Sequence, residues 1–126
     1  MAATILICDD EEVLRELVRA SLAERPLHVL EASTGDEALE LARSRRPDLI
    51  VIDMMMPGRS GLDVIREART DPGLAETPVI LLTARAQAAD RDAADAVGVD
   101  RFVAKPFSPQ TLLEAVDELL LKGARA

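Results

Sequence analysis

Five short apolar runs alternate along the chain with five amphipathic stretches. The runs cover 5–8, 27–30, 49–52, 79–82 and 102–104. The first, third and fourth are continuously apolar, as strands covered on both faces should be. The second carries His28 and Glu31, and the fifth begins with Asp100 and Arg101, so both read as edge strands. Strict alternation of strand and helix patterns predicts an α/β domain: a doubly wound, five-stranded parallel sheet with helices on both faces. Three central and two edge strands, joined by right-handed crossovers, fit the strand order 2-1-3-4-5.

The intervening stretches carry helix signals. In the first, Val13, Leu14, Leu17, Val18 and Leu22 recur at helical spacing, and Pro26 lies just past its end. The second opens on Thr34-Gly-Asp-Glu37, a capping-box pattern. The third has Ser60 as N-cap, with Leu62, Ile65 and Ala68 facing inward. The fourth, near 86–97, offers mostly alanines inward, so it buries little apolar area and is weakly held. The fifth opens on Ser108-Pro109 and carries a stripe of Leu112, Leu113, Val116, Leu119 and Leu120. The polar tail 122–126 reads as a terminus or the start of a linker.

At 126 residues the chain fits a single domain over 1–126, and 48% apolar residues suffice for a core. No apolar run approaches the roughly 20 residues of a membrane span, and acids follow the first run too soon for a signal peptide. A lone cysteine, Cys8, agrees with a reducing compartment, so the cytoplasm is expected. A net charge of −8 argues against direct nucleic-acid binding and suits a protein that meets other proteins.

The candidate chemistry sits where the apolar runs end. Asp9-Asp10 follow the first run, Asp53 the third, Thr83 the fourth and Lys105 the fifth. In a parallel α/β sheet the carboxyl ends of the strands form the ligand edge, so these residues converge on one pocket. Adjacent carboxylates repel, and a hard divalent cation relieves them. Singly, each has an ordinary explanation: Asp10 as a helix cap, Asp53 as a turn initiator, Thr83 as a strand-end hydroxyl, Lys105 as a surface lysine. Together they suit a divalent cation and a phosphoryl group.

Four segments then carry a resemblance: Ile7-Cys-Asp9-Asp10-Glu11, Ile52-Asp53-Met-Met-Met-Pro57-Gly58-Arg-Ser-Gly61, Leu82-Thr83-Ala84-Arg85 and Ala104-Lys105-Pro106-Phe107. In this order and spacing the chain resembles, from Ile5 to about Leu121, the receiver domain of bacterial two-component response regulators. The resemblance implies a flavodoxin-like (βα)5 fold and a phosphoacceptor switch rather than an enzyme. Asp53 would be the phosphoacceptor, taking the phosphoryl group of a sensor histidine kinase or phosphotransfer protein. Asp10, Asp53 and the Met55 carbonyl would hold Mg²⁺ (or Mn²⁺), with Asp9 acting through metal-bound water. Lys105 and Thr83 would contact phosphoryl oxygens. Met55, Ala84 and Arg85 would line the pocket mouth, Pro57 and Gly58 would make the turn after the acceptor strand, and the Lys105-Pro106 bond would be a candidate cis peptide. Thr83 and Phe102 would form the conformational switch. The fourth helix, fifth strand and fifth helix would present the output face to a downstream protein or effector domain, as a monomer or a phosphorylation-dependent dimer.

The chain also departs from the pattern. Phe102 replaces a frequent tyrosine, Ala115 stands where a basic residue is expected, and Arg101 stands where an acid is expected. Asp90, Arg91 and Asp100 fit the ion-pair ring through which some such domains dimerise, but those two departures put that mode in doubt. A Mg-dependent phosphatase would place an Asp-x-Asp nucleophile on the first strand, where this chain has Asp9-Asp10-Glu11. A flavin protein of the same topology would carry a Ser/Thr/Gly-rich phosphate loop there. A degenerate receiver acting as an unphosphorylated scaffold fits poorly with the intact polar set.

Overall fold

The computed structural model describes residues 3–84, 88–105 and 107–124. Five strands alternate with five helices: β1 (Ala3–Cys8), α1 (Glu12–Ser21), β2 (Leu27–Ala32), α2 (Gly35–Arg45), β3 (Leu49–Asp53), α3 (Gly61–Ala68), β4 (Val79–Thr83), α4 (Ala88–Ala96), β5 (Arg101–Ala104) and α5 (Pro109–Ala124). Every strand pairing is parallel, and the sheet order is β2-β1-β3-β4-β5, as expected. The central strands run on farther than the apolar runs did. Asp53 and Thr83 are the last residues of β3 and β4.

Side chains alternate across a sheet with period two, and this splits the core into two layers. Ile5, Ile7, Leu49, Val51, Ile80, Leu82 and Val103 pack with α1 and α5 residues such as Val18, Leu22, Leu112 and Val116. Leu6, Cys8, Ile50, Ile52, Val79 and Leu81 pack on the other face with Ala38, Leu39, Val64, Ile65 and Ala94 from α2, α3 and α4. Both faces of β1, β3 and β4 are therefore covered, which explains their unbroken apolar sequences.

The caps on the second, third and fifth helices form as read. Thr34 Oγ1 accepts from Glu37 N at 3.2 Å, and the Glu37 carboxylate accepts from Ser33 N at 2.7 Å, one residue before the usual partner. Ser60 and Ser108 accept from the amides three residues on.

Helix α1 differs from its sequence reading. It turns Val18 and Leu22 fully inward and Leu14 partly, but leaves Val13 78% and Leu17 42% exposed. Five apolar residues make a stripe wider than the contact with β1 and α5, and the outer two face solvent. Asp10 does not cap the helix: Glu11 is the N-cap residue, without a side-chain cap bond. Helix α4 is as thin as its composition implies. Among its described side chains only Ala94 is buried. The loop after it is held by Arg69 of the α3 C-cap, whose guanidinium donates to the carbonyls of Val97 (3.3 Å) and Gly98 (2.8 Å).

Glycine at 61 is demanded by close packing. A Cβ there would lie 2.2 Å from the carbonyl oxygen of Asp53 and 2.9 Å from its carbonyl carbon, and backbone cannot yield as a side-chain tip can. Gly61→Ala is expected to destabilise the fold by about 2 kcal/mol through overpacking, measured as a shift in urea midpoint. Because the displaced group is Asp53, the same variant also disturbs the polar pocket.

Candidate functional site

The last residue of β3, Asp53, and the first residues past β1 and β5, Asp9 and Lys105, come together at the carboxyl edge of the sheet. Asp9 is wholly buried and Asp53 is 6% exposed, a costly placement for two carboxylates. Lys105 Nζ reconciles them, donating to Asp9 Oδ2 at 2.9 Å and to Asp53 Oδ2 at 3.0 Å. The remaining carboxylate oxygens are met by backbone: Asp9 Oδ1 accepts from Glu11 N at 2.9 Å, and Asp53 Oδ1 from Met55 N at 3.2 Å. Burial pushes the Asp9 carboxyl above its ordinary value; bonds from the Glu11 amide and Lys105 pull it back only in part, and the Asp53 charge adds to the rise. Burial works against the Lys105 ammonium, yet its bonds to Asp9 and Asp53 outweigh that and hold it above the ordinary lysine value.

Asp10 is exposed and completes a group of three carboxylates. One oxygen each from Asp9, Asp10 and Asp53 lie within 4.8 Å of one another. Hard oxygen donors so close suit a divalent cation. The donor set therefore fits Mg²⁺ on its chemistry, with Lys105 already in place to offset part of the negative charge.

Strand parity decides on which side of the sheet edge each remaining residue falls. Asp9, Asp53 and Lys105 continue the set Ile5–Ile7, Leu49–Val51 and Val103, which faces α1 and α5. Thr83 continues Val79 and Leu81 on the opposite face, where it is buried and its hydroxyl lies 3.8 Å from Met54 Sδ. Phe102 packs against that same layer, half-buried, with the Arg91 guanidinium of α4 4.9 Å from its ring centroid. Thr83 and Phe102, read from sequence as a switch pair, thus share a face with each other and with α4.

Of the residues expected at the pocket mouth, Met55 is 68% exposed and Ala84 is exposed, while Arg85 lies outside the described residues, as does Pro106. Gly58 has φ 81°, the left-handed conformation that favours glycine, and the Pro57 carbonyl receives Gly35 N at 3.4 Å. On the expected output face two of the charges are engaged within the chain. Arg101 pairs with Glu118 of α5, and Asp100 accepts from Val79 N at 2.8 Å. Ala115 is buried. The side chain of Asp90 lies outside the described residues.

Sequence reading passed over Arg15. Its guanidinium donates to the Asp9 carbonyl at 2.7 Å and to Glu31 of β2 at 3.2 Å. Nothing in the spacing of a helical arginine six residues past an aspartate marks such a return contact.

Fold and site together define a doubly wound parallel domain with an acidic, lysine-bridged pocket at the carboxyl edge of its sheet. The chain belongs to the response regulator receiver domain family, whose model matches residues 5–117. It is 42% identical over 118 residues to the Mycobacterium tuberculosis protein named probable transcriptional regulatory protein TcrX, covering 93% of this chain and 49% of that one. It is 36% identical over 117 residues to the phosphate regulon transcriptional regulatory protein PhoB of Pseudomonas aeruginosa, covering 93% and 51%. The chain thus spans about half the length of these relatives. Among solved structures, the chemotaxis response regulator CheY4 of Vibrio cholerae superposes with a TM-score of 0.88 at 30% identity, covering 94% of this chain and 99% of that one. The receiver domain of a signal transduction histidine kinase from Syntrophus aciditrophicus superposes at 0.90 with 32% identity, covering 99% and 95%. Among the described residues, no helix is long and apolar enough to cross a membrane.

Proposed function

We propose that this receiver domain is switched by phosphorylation at Asp53. The observation that carries the reading is Lys105 Nζ held between the Asp9 and Asp53 carboxylates, with Asp10 beside them. An Asp53 oxygen attacks the phosphorus of a phosphohistidine on a sensor histidine kinase or phosphotransfer protein. The P–O bond forms as the P–N bond breaks, the imidazole leaves, and an acyl phosphate remains on Asp53. Lys105 moves its hydrogen bond from the Asp53 carboxylate to a phosphoryl oxygen, neutralising charge that spreads during transfer. Asp10, Asp53 and the Met55 carbonyl would hold Mg²⁺, or Mn²⁺, with Asp9 acting through water, and the ion when bound would supply further charge neutralisation. Thr83 offers its hydroxyl to the phosphoryl group from the opposite face of the sheet. Because Thr83 and Phe102 lie on the α4 side, its movement would let Phe102 turn inward and shift α4, which is thinly packed.

The output would pass through α4, β5 and α5 to a downstream protein or effector domain. Relatives about twice as long are named as transcriptional regulators, so transcription is the favoured output. With a net charge of −8, DNA contact would belong to another domain.

Incubation with acetyl phosphate and Mg²⁺ is expected to add one phosphoryl group to the intact mass, and a chelator to prevent it. No gain in the presence of measurable Mg²⁺ binding and cognate kinase would overturn the reading. Mg²⁺ itself is expected to stabilise the folded protein by mass action, by about 2.7 kcal/mol at one hundred times its dissociation constant. Asp10→Asn reduces that gain, as thermal melting with and without Mg²⁺ would show.

A further inference from the structure

We propose that Arg15 is a positioning residue for the acidic pocket, setting the direction in which Asp9 and Asp10 converge on Asp53. This rests on the metal-dependent reading above.

The carbonyl that Arg15 Nη1 grips at 2.7 Å belongs to the peptide joining Asp9 to Asp10. Holding that oxygen fixes the peptide plane, and with it the direction in which Asp10 leaves the strand. The other polar groups of Asp9 are already engaged. Its amide donates to Ala32 O at 3.1 Å, its Oδ1 accepts from Glu11 N, and its Oδ2 accepts from Lys105. Arg15 closes the set. Asp10, by contrast, is exposed, so packing does not aim it. Nor does a side-chain cap fix the start of α1, since Glu11 makes none. Besides the Glu11 N to Asp9 Oδ1 bond that spans Asp10, Arg15 constrains this turn from outside it.

The grip is anchored. Arg15 Nε donates to Glu31 Oε1 at 3.2 Å, and the Arg15 side chain is only 16% exposed. Glu31 stands opposite Ile7 in the β1–β2 register, two residues before Asp9, and its second oxygen is held by Arg19. The planar fork of arginine makes both bonds at once, to a carboxylate on one strand and a carbonyl at the end of the next. Groups that orient metal ligands without touching the metal typically alter affinity tenfold or more when removed.

Calorimetric titration of the full chain with Mg²⁺ tests this, beside thermal melting without Mg²⁺. Arg15→Ala is expected to weaken Mg²⁺ affinity about tenfold. Arg15→Lys should recover part of it, because an ammonium can reach the Asp9 carbonyl but lacks the fork. Glu31→Gln, which keeps an acceptor for Arg15, should fall between wild type and Arg15→Ala. A merely structural tie between α1 and β2 would lower the melting temperature and leave the affinity of the folded protein unchanged. Wild-type affinity in folded Arg15→Ala, with Asp10→Asn weakened, would overturn the role of Arg15 alone. If Arg15→Ala does not fold, wild-type affinity in both Arg15→Lys and Glu31→Gln overturns it. Absence of Mg²⁺ binding in the wild type would overturn the metal-dependent reading and this role together.

Discussion

Asp53→Asn is expected to abolish phosphoryl incorporation, leaving the intact mass unchanged under conditions where the wild type gains one phosphoryl group. The substitution is nearly isosteric. Its amide oxygen can still accept from Met55 N, and the carbonyl above Gly61 is untouched, so the fold should survive. What is lost is the anion proposed as nucleophile and one of two carboxylates on Lys105. Removing a buried charge also relieves repulsion with Asp9, so the melting temperature without divalent cations should not fall. Undiminished incorporation in the variant would move the acceptor to another residue, Asp10 being the nearest exposed carboxylate.

Lys105→Met should be the most damaging change that leaves all three acids in place. Methionine preserves an apolar stem of similar length but leaves the Asp9 and Asp53 carboxylates facing each other in a buried site. Breaking a buried pair by removing one partner costs about 3 kcal/mol, read from urea unfolding at neutral pH without divalent cations. The phosphorylation rate should fall about a hundredfold, the usual cost of losing one group that stabilises developing charge.

The loss should also depend on pH. A carboxyl held above its ordinary value when folded binds its proton more tightly in the native state, so stability rises as pH falls through that folded value. Asp9 has this sign already, and Lys105→Met strengthens it. The variant should therefore regain stability between neutral pH and the ordinary aspartate value of 3.8. Below that, Asp71 and Asp117 work the other way. Arginine partners hold both below the ordinary value, so their stabilisation is lost as pH falls further. A flat profile between neutral pH and that value would show that burial does not hold the Asp9 carboxyl above its ordinary value in the variant. Lys105 itself contributes stability that is complete below 10.5 and lost as pH rises through its higher folded value.

The strands were legible because burial on both faces leaves an unbroken apolar run, and the polar residue ending each run marks the edge of the sheet. Edge strands were legible from His28 and Arg101, both exposed in the fold. Helix caps were legible because Thr34, Ser60 and Ser108 act on amides three residues away, within the reach of local pattern. Helix α1 was less so. Val13 and Leu17 satisfy the helical period, yet the width of the buried stripe depends on how closely β1 and α5 approach, which a period does not encode.

By itself, the sequence determined the element order, the parallel sheet and the set of residues at its carboxyl edge, because these follow from periodicity and from right-handed crossover. Only the tertiary structure decided how that set is divided. Strand parity and the strand-end turns put Asp9, Asp53 and Lys105 on the α1–α5 side and Thr83 with Phe102 on the α4 side. It also decided that Lys105 serves two acids at once, that Arg101 spends its charge on Glu118, and that Arg15 turns back to the peptide between the two aspartates. Each of these is a contact between side chains or carbonyls brought together by packing, and such distances are set by the sum of all the layers rather than by any local run of residues.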